Sequence, residues 1–270
     1  MTLAIPTHLQ KFRMKYQGGK FRIAKDILQI MLPVRGDRVW VEPFVGGGNM
    51  IDKVTGKRIG SDVNKWVIEA LTIIRDRAEE LPKNNTEFTK DDYEKIRQGE
   101  EHEFKAIAGF CYSFGAKWLD SWATNHRKRD YVKETYNSAN IQKPLLQGVD
   151  LICCAYNELE IPENSLIYCD PPYQNTTKYK RVESFNHSEF WQWAEEQVKN
   201  HIVFVSELTA PENWVEVWSK NIIYTMPRLS KKNPTKTEKL FIHESQAHLI
   251  KSNTLFDEIR KHTTNKTNSH

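Results

Sequence analysis

Short apolar runs alternate along this chain with stretches of helical spacing. Ile23, Ile27, Ile30 and Met31 recur between Phe21 and Leu32, which predicts a helix ended by Pro33. Arg38-Val39-Trp40-Val41-Glu42 predicts a short strand running into the loop Pro43-Phe44-Val45-Gly46-Gly47-Gly48-Asn49. Arg58 to Asp62 predicts a second strand that ends in an acid. Asn64 is placed to cap the next helix, whose apolar stripe is Val67, Ile68, Leu71 and Ile74. Further on, strands are predicted over Leu151–Cys154 and Leu166–Cys169, a helix over Ser188–Asn200 and a strand over Ile202–Ser206. Pro211 suits the first turn of another helix, to about Ser219. Two closing strands, Ile222–Thr225 and Lys239–His243, would be joined by a basic hairpin loop.

Strands alternating with helices imply a mostly parallel sheet covered on both faces. Ligands of such sheets bind beyond the carboxyl ends of the strands. Residues 89–147 differ: they are more charged, rich in Tyr, Asn and Lys, and weakly periodic after Trp118. They predict an inserted subdomain, helical at first and irregular later. The expected organisation is one discontinuous domain, 1–88 with 148–255, an insertion at 89–147 and a polar tail at 256–270.

Composition narrows the class only a little. With 270 residues, 39% apolar and 27% charged, the chain can bury a core without metal or disulfides. No apolar run approaches membrane-spanning length. The opening Met1 to Lys15 lacks the apolar core of a signal peptide. Cys111, Cys153, Cys154 and Cys169 show no zinc spacing and are expected to be reduced, mostly buried thiols of a cytoplasmic protein. The net charge of +4 is mild but clustered. Lys11, Arg13, Lys15, Lys20, Arg22 and Lys25 precede the first acid; Arg127, Lys128 and Arg129 form a second group; Arg228, Lys231, Lys232, Lys236 and Lys239 form a third. Such clusters suit a phosphate backbone or a solvated surface.

Four segments carry candidate chemistry, all but the first at carboxyl ends of predicted strands. In Tyr16-Gln17-Gly18-Gly19-Lys20, glycines before a helix would turn backbone N–H groups toward an anion. The glycine loop after the first strand lacks both the P-loop and the dinucleotide spacing, and with Phe44, Gly46 and Gly48 it suits a nucleoside. Asp62 could accept from ribose hydroxyls or cap a helix. Asp170-Pro171-Pro172-Tyr173 is the most specific segment. Its prolines forbid a helix and leave a carboxylate, carbonyls and an aromatic face. That set fits a planar base bearing an amine: Asp170 and the Pro171 carbonyl accept its N–H groups, and Tyr173 stacks on its ring.

In this order, Tyr16–Lys20, Val41–Asn49, Asp62-Val63-Asn64 and Asp170–Tyr173 resemble the Dam-type (D12 class) family of DNA adenine N6-methyltransferases, in a phage-like form. Glu238-Lys239-Leu240-Phe241 is similar to the family's final strand. The resemblance implies an α/β, Rossmann-like methyltransferase fold, mostly parallel, with an antiparallel C-terminal hairpin and a mainly helical inserted target-recognition subdomain. It implies S-adenosylmethionine as cofactor, held by Tyr16, Gly18, Gly19, Lys20, Glu42, Phe44, Gly46, Gly48, Asp62 and Asp170. Asp170, Pro171, Pro172 and Tyr173 would carry catalysis. Duplex DNA would be the partner, with no membrane and no obligate protein partner, in a bacterial or phage-infected cell. Lys15, Asn125, Arg127, Lys128, Arg129 and Tyr136 are the candidate DNA contacts. Cytosine N4, an RNA adenine or a protein glutamine remain alternative acceptors, and an inactive DNA-binding module is the non-enzymatic alternative. Trp191 and Trp193 are read as packing residues; His187 and His201 receive no role, and Glu207, just after a predicted strand, could line the site.

Overall fold

The computed structural model describes residues 13–124, 129–173, 185–223 and 235–251. In chain order the elements are α1 (Ala24–Arg35), β1 (Trp40–Glu42), β2 (Arg58–Asp62), α2 (Lys65–Arg77), α3 (Lys90–Arg97), α4 (Lys105–Cys111), α5 (Tyr131–Leu146), β3 (Val149–Cys153), β4 (Leu166–Cys169), α6 (His187–Val198), β5 (Ile202–Ser206), β6 (Trp214–Ile223), β7 (Thr235–His243) and α7 (His248–Lys251). The chain groups into two compact units. One takes Met1–Arg22 with Phe44–Leu159, the other Ile23–Pro43 with Glu160–His270.

In the first unit β2 and β3 run parallel, Arg58 opposite Val149 through Asp62 opposite Cys153. The α2 stripe is buried as expected, and α2 packs against α5. Asn64 caps α2 by accepting from the Trp66 N–H at 3.1 Å. Arg58 is 8% exposed. Its guanidinium binds the carbonyls of Ile51 at 3.1 Å, Leu145 at 2.7 Å and Gln147 at 2.6 Å, so the start of β2 fixes the end of α5.

In the second unit β1, β4 and β5 are parallel neighbours, and β7 then β6 follow antiparallel. Every residue of β4 and β5 is buried, the signature of strands covered on both faces. The expected α/β class, mostly parallel with an antiparallel C-terminal pair, is what these ladders form. No helix among the described residues is long and apolar enough to cross a membrane.

Several local expectations are overturned. Pro33 does not end α1, which continues to Arg35. Pro33 sits in the last turn, where the terminal carbonyls find other donors: Arg38 Nη1 reaches the Arg35 carbonyl at 3.1 Å. The helix expected from Pro211 to Ser219 is strand β6, paired with β7 from Trp214 opposite His243 to Ile223 opposite Thr235. Trp214-Val215-Glu216-Val217-Trp218 is rich in aromatic and β-branched residues, and that preference outweighed the proline cue. Expected irregularity after Trp118 gives way to the 16-residue α5, capped by Asp130. Polar side chains and Pro144 hide its buried stripe Val132, Thr135, Ala139, Gln142 and Leu146. Of the four free thiols, Cys111 and Cys169 are buried, while Cys153 is exposed and Cys154 intermediate.

The Asn64 cap gives a direct test. Asn64→Ala is expected to cost about 1 kcal/mol, read as a lower urea midpoint at unchanged m-value.

Candidate active site

Each unit carries one half of the candidate chemistry. In the first, the chain leaves Pro43 into a turn whose Val45 N–H bonds the Ser61 carbonyl at 2.8 Å and whose Gly48 N–H bonds the Val45 carbonyl at 2.9 Å. Gly46 and Gly48 have φ of +48° and +67°, a region costly for residues with a Cβ. A Cβ on Gly46 would also sit 3.0 Å from the Tyr16 ring. The turn therefore needs glycine for conformation and for close approach.

Asp62 closes this half. One carboxylate oxygen accepts from the Gly46 N–H at 3.2 Å and the other from the Asn64 N–H at 2.9 Å. Burial pushes its carboxyl up to about 6, and the two N–H groups oppose that shift. Asp62 is thus not the cap of α2. It joins the end of β2 to the glycine turn. Phe44 stacks with Tyr156, ring centres 5.4 Å apart and planes 29° apart. Tyr156 had no sequence signal beyond its place just after β3.

Tyr16 meets Phe110 edge-on at 5.6 Å, and its carbonyl accepts from the Gly19 N–H at 3.3 Å. Gly18 and Gly19 make a turn, not a helix start: α1 begins only at Ala24. Lys20 is buried at 7% exposure. Asn49, at the end of the glycine turn, is 6% exposed. Its side-chain oxygen is a buried acceptor that no described donor satisfies.

The candidate DNA contacts of this unit are partly engaged already. Lys15 lies 3.5 Å from Glu134 and 4.1 Å above the Tyr131 ring, and burial lowers its pKa. Arg129 makes a two-pronged bond with Glu134 at 2.6 Å for each prong. Tyr136 is half-buried on α5. Asn125, Arg127 and Lys128, with Lys11, Arg228, Lys231 and Lys232, lie outside the described residues.

In the second unit, β4 delivers Asp170, Pro171, Pro172 and Tyr173 at its carboxyl end. Three buried glutamates accompany them. Glu42, Glu207 and Glu238 are 2%, 1% and 3% exposed. Glu42 accepts from the Trp40 indole N–H at 2.6 Å. Glu207 accepts from the Leu208 N–H at 2.7 Å and lies 3.8 Å from His187. Glu238 accepts from the Tyr173 hydroxyl at 2.7 Å. The Tyr168 hydroxyl, 2.9 Å from Ser206 Oγ, is pushed well up by burial and by the negative charge of Asp170, Glu42 and Glu238. Burial and Asp170 likewise push up the Cys169 thiol.

The sequence offered Glu207 only as a residue after a strand that could line the site, and it placed Glu238 in the final strand without a role there. A place directly after the apolar run of β5 was the available signal for Glu207; Glu238, between Thr237 and Lys239, had none. His201 has a structural partner, accepting from the Ser165 N–H at 3.1 Å. Trp191 packs 5.1 Å from Trp214, and Trp193 lies 6.1 Å from Phe190.

Asp62 yields a pH prediction with a definite sign. Its pKa is raised from 3.8 to about 6 on folding, so the stability it contributes is complete below pH 3.8 and lost as pH rises through 6. Relative to the parent, Asp62→Asn should gain stability between about pH 4 and 6.5, by up to about 3 kcal/mol, and then level off. Urea melts across that range check it; a constant difference would refute the assignment.

The chain is 27% identical over 196 residues to the Type II methyltransferase M.FokI of Planomicrobium okeanokoites, covering 62% of this chain and 29% of that protein. It is 25% identical over 267 residues to a DNA adenine methylase of Vibrio cholerae serotype O1, covering 90% of this chain and 89% of that protein. Type II methyltransferase M.MjaIII of Methanocaldococcus jannaschii is 25% identical over 214 residues, covering 66% and 74%. Among solved structures, SMU.472 complexed with SAH aligns with a TM-score of 0.35 and 11% identity over 87% of this chain and 54% of that one. The family model for D12 class N6 adenine-specific DNA methyltransferases matches residues 16–210. That span holds both the glycine turn and Asp170–Tyr173, and the chain belongs to that family.

Proposed function

We propose that this chain transfers the methyl group of S-adenosylmethionine to the N6 amine of an adenine turned out of duplex DNA. The observation that carries the reading is the segment Asp170–Tyr173 at the end of a fully buried strand, with its tyrosine hydroxyl anchored on Glu238 at 2.7 Å. Two prolines stiffen that segment and remove its donors, so it presents acceptors and an aromatic face.

The residues present suit the cofactor. The Asn49 side-chain oxygen is a buried acceptor awaiting a donor, as an amino group is. Gly46 and Gly48 allow close approach to the backbone, and Asp62 offers a carboxylate at the end of β2. Tyr16, Gly18, Gly19, Lys20, Glu42, Phe44, Gly46, Gly48 and Asp62 would hold S-adenosylmethionine, with Asp170 shared with the base. When bound, it supplies a methyl group on a positively charged sulfur.

The chain's own residues do the rest. The amine lone pair of adenine is delocalised into the ring, which makes it a poor nucleophile. Asp170 and the Pro171 carbonyl accept its two N–H groups and localise the lone pair. Asp170 then stabilises positive charge developing on nitrogen in a water-poor setting, with buried Glu42 adding to the negative potential. Asp170 need not be a strong base, because the methylated nitrogen sheds its proton readily. Tyr173 stacks on the base.

Turning a base out costs a few kcal/mol, and phosphate contacts offset it. We assign residues 89–147 to target recognition, with Lys15, Asn125, Arg127, Lys128, Arg129 and Tyr136 as the DNA contacts. Lys15 and Arg129 would reach phosphate by exchanging Glu134 for it. The DNA substrate sets the compartment as the cytoplasm of a bacterial or phage-infected cell.

Asp170→Ala is expected to lower kcat by about 10²–10³ or more, while S-adenosylmethionine still raises the melting temperature. Transfer of labelled methyl into duplex DNA, followed by digestion to nucleosides, reads both rate and acceptor. Label in any nucleoside other than N6-methyladenine's, or full activity in the variant, would overturn the reading.

A further inference from the structure

We infer that Glu238 is a positioning residue for methyl transfer: by accepting from the Tyr173 hydroxyl it fixes the ring on which the target base stacks. This rests on the function proposed above and goes beyond it, by assigning work to a residue far along the chain from the Asp-Pro-Pro-Tyr segment.

The topology explains why Glu238 is available. β7 runs antiparallel to β5, with Leu240 opposite Ser206. Residues that precede Leu240 on β7 therefore project past the carboxyl end of β5. β5 is parallel to β4 in register, Cys169 opposite Val205, so that end is also where Asp170 begins. Glu238, two residues before Leu240, arrives there with its carboxylate 2.7 Å from the Tyr173 hydroxyl.

The chemistry explains why the contact matters. A tyrosine ring has two side-chain torsions to settle, and Pro171 and Pro172 already restrict the backbone that carries it. An acceptor at the para position settles the torsions. Stacking depends on the plane of the ring, so an anchored ring presents one plane to an arriving base, and a free ring presents many. Glu238 is 3% exposed, and a carboxylate is costly to bury without donors. Packing alone would place an apolar residue here, as at Leu240 and Ile242, which are both fully buried.

The experiment uses the full chain, a duplex that it methylates and S-adenosylmethionine. If the parent protein methylates no adenine, the proposed function fails before any variant is compared. With activity in hand, Tyr173→Phe, Glu238→Ala, the double variant and Glu238→Gln are compared. Tyr173→Phe and Glu238→Ala should each lower kcat about tenfold, the scale of one hydrogen bond to a charged group. The double variant should lose no more than either single one, since both remove the same bond. KM for S-adenosylmethionine should stay within about twofold of the parent throughout, which a general loss of structure would not allow. Glu238→Gln keeps an acceptor oxygen and should recover most of kcat; it also keeps the test open if the alanine variant fails to fold. Multiplicative losses in the double variant, or a glutamine variant as slow as the alanine one, would overturn the inference. The latter outcome would mean that charge, and not the anchor, is what Glu238 supplies.

Discussion

Three glutamates buried at the carboxyl ends of β1 and β5 are the constraint on which the second unit depends. Glu42, Glu207 and Glu238 are almost wholly removed from water. Each must be given donors or it would destabilise the unit that holds it. The indole of Trp40, the N–H of Leu208 and the hydroxyl of Tyr173 meet that demand. Aromatic residues with a polar tip are therefore not ornaments of this core. Together with the Leu208 N–H, they are what makes three buried acids tolerable in this unit.

The other half solves a different problem, holding backbone in a shape that most residues refuse. The glycine turn is secured by the Val45 and Gly46 N–H groups, one on a carbonyl and one on a carboxylate of β2's last two residues. Asp62 works with a carboxyl whose ionisation is made difficult by burial. Its two backbone donors are the compensation. Conformation of the turn and ionisation of the acid are therefore one problem with one solution.

Much of this was legible in the residues. Strands β4 and β5 carry short apolar runs that a buried strand explains, and Asn64 announced its cap. The order of the glycine loop, Asp62 and Asp170–Tyr173 carried the resemblance to the family. What escaped was set by partners distant in sequence. β6 is a strand because β7 lies beside it and Trp214–Trp218 favours one, against the helix cue of Pro211. Glu238 read as an ordinary acid until the pairing of β7 with β5 brought it to the carboxyl end of β5, and Glu207 had only its place after a strand to mark it. Tyr156 had no pattern to betray it, because a single aromatic after a strand is common. Lys15 and Arg129 looked like free charge in the sequence, yet Glu134 and Tyr131 engage both.

Gln142, on α5, is wholly buried. Its amide oxygen accepts from the Met14 N–H at 3.0 Å, and its nitrogen donates to the Gly47 carbonyl at 3.1 Å. One side chain thus staples the last helix of the segment 89–147 to the middle of the glycine turn and to the strand of chain leading into Tyr16. A screw-like displacement of α5 by even a fraction of a turn would have to break those bonds or drag Gly47 along. The glycine turn, α5 and the chain leading into Tyr16 are therefore mechanically one lever, and none of them can be retuned in isolation.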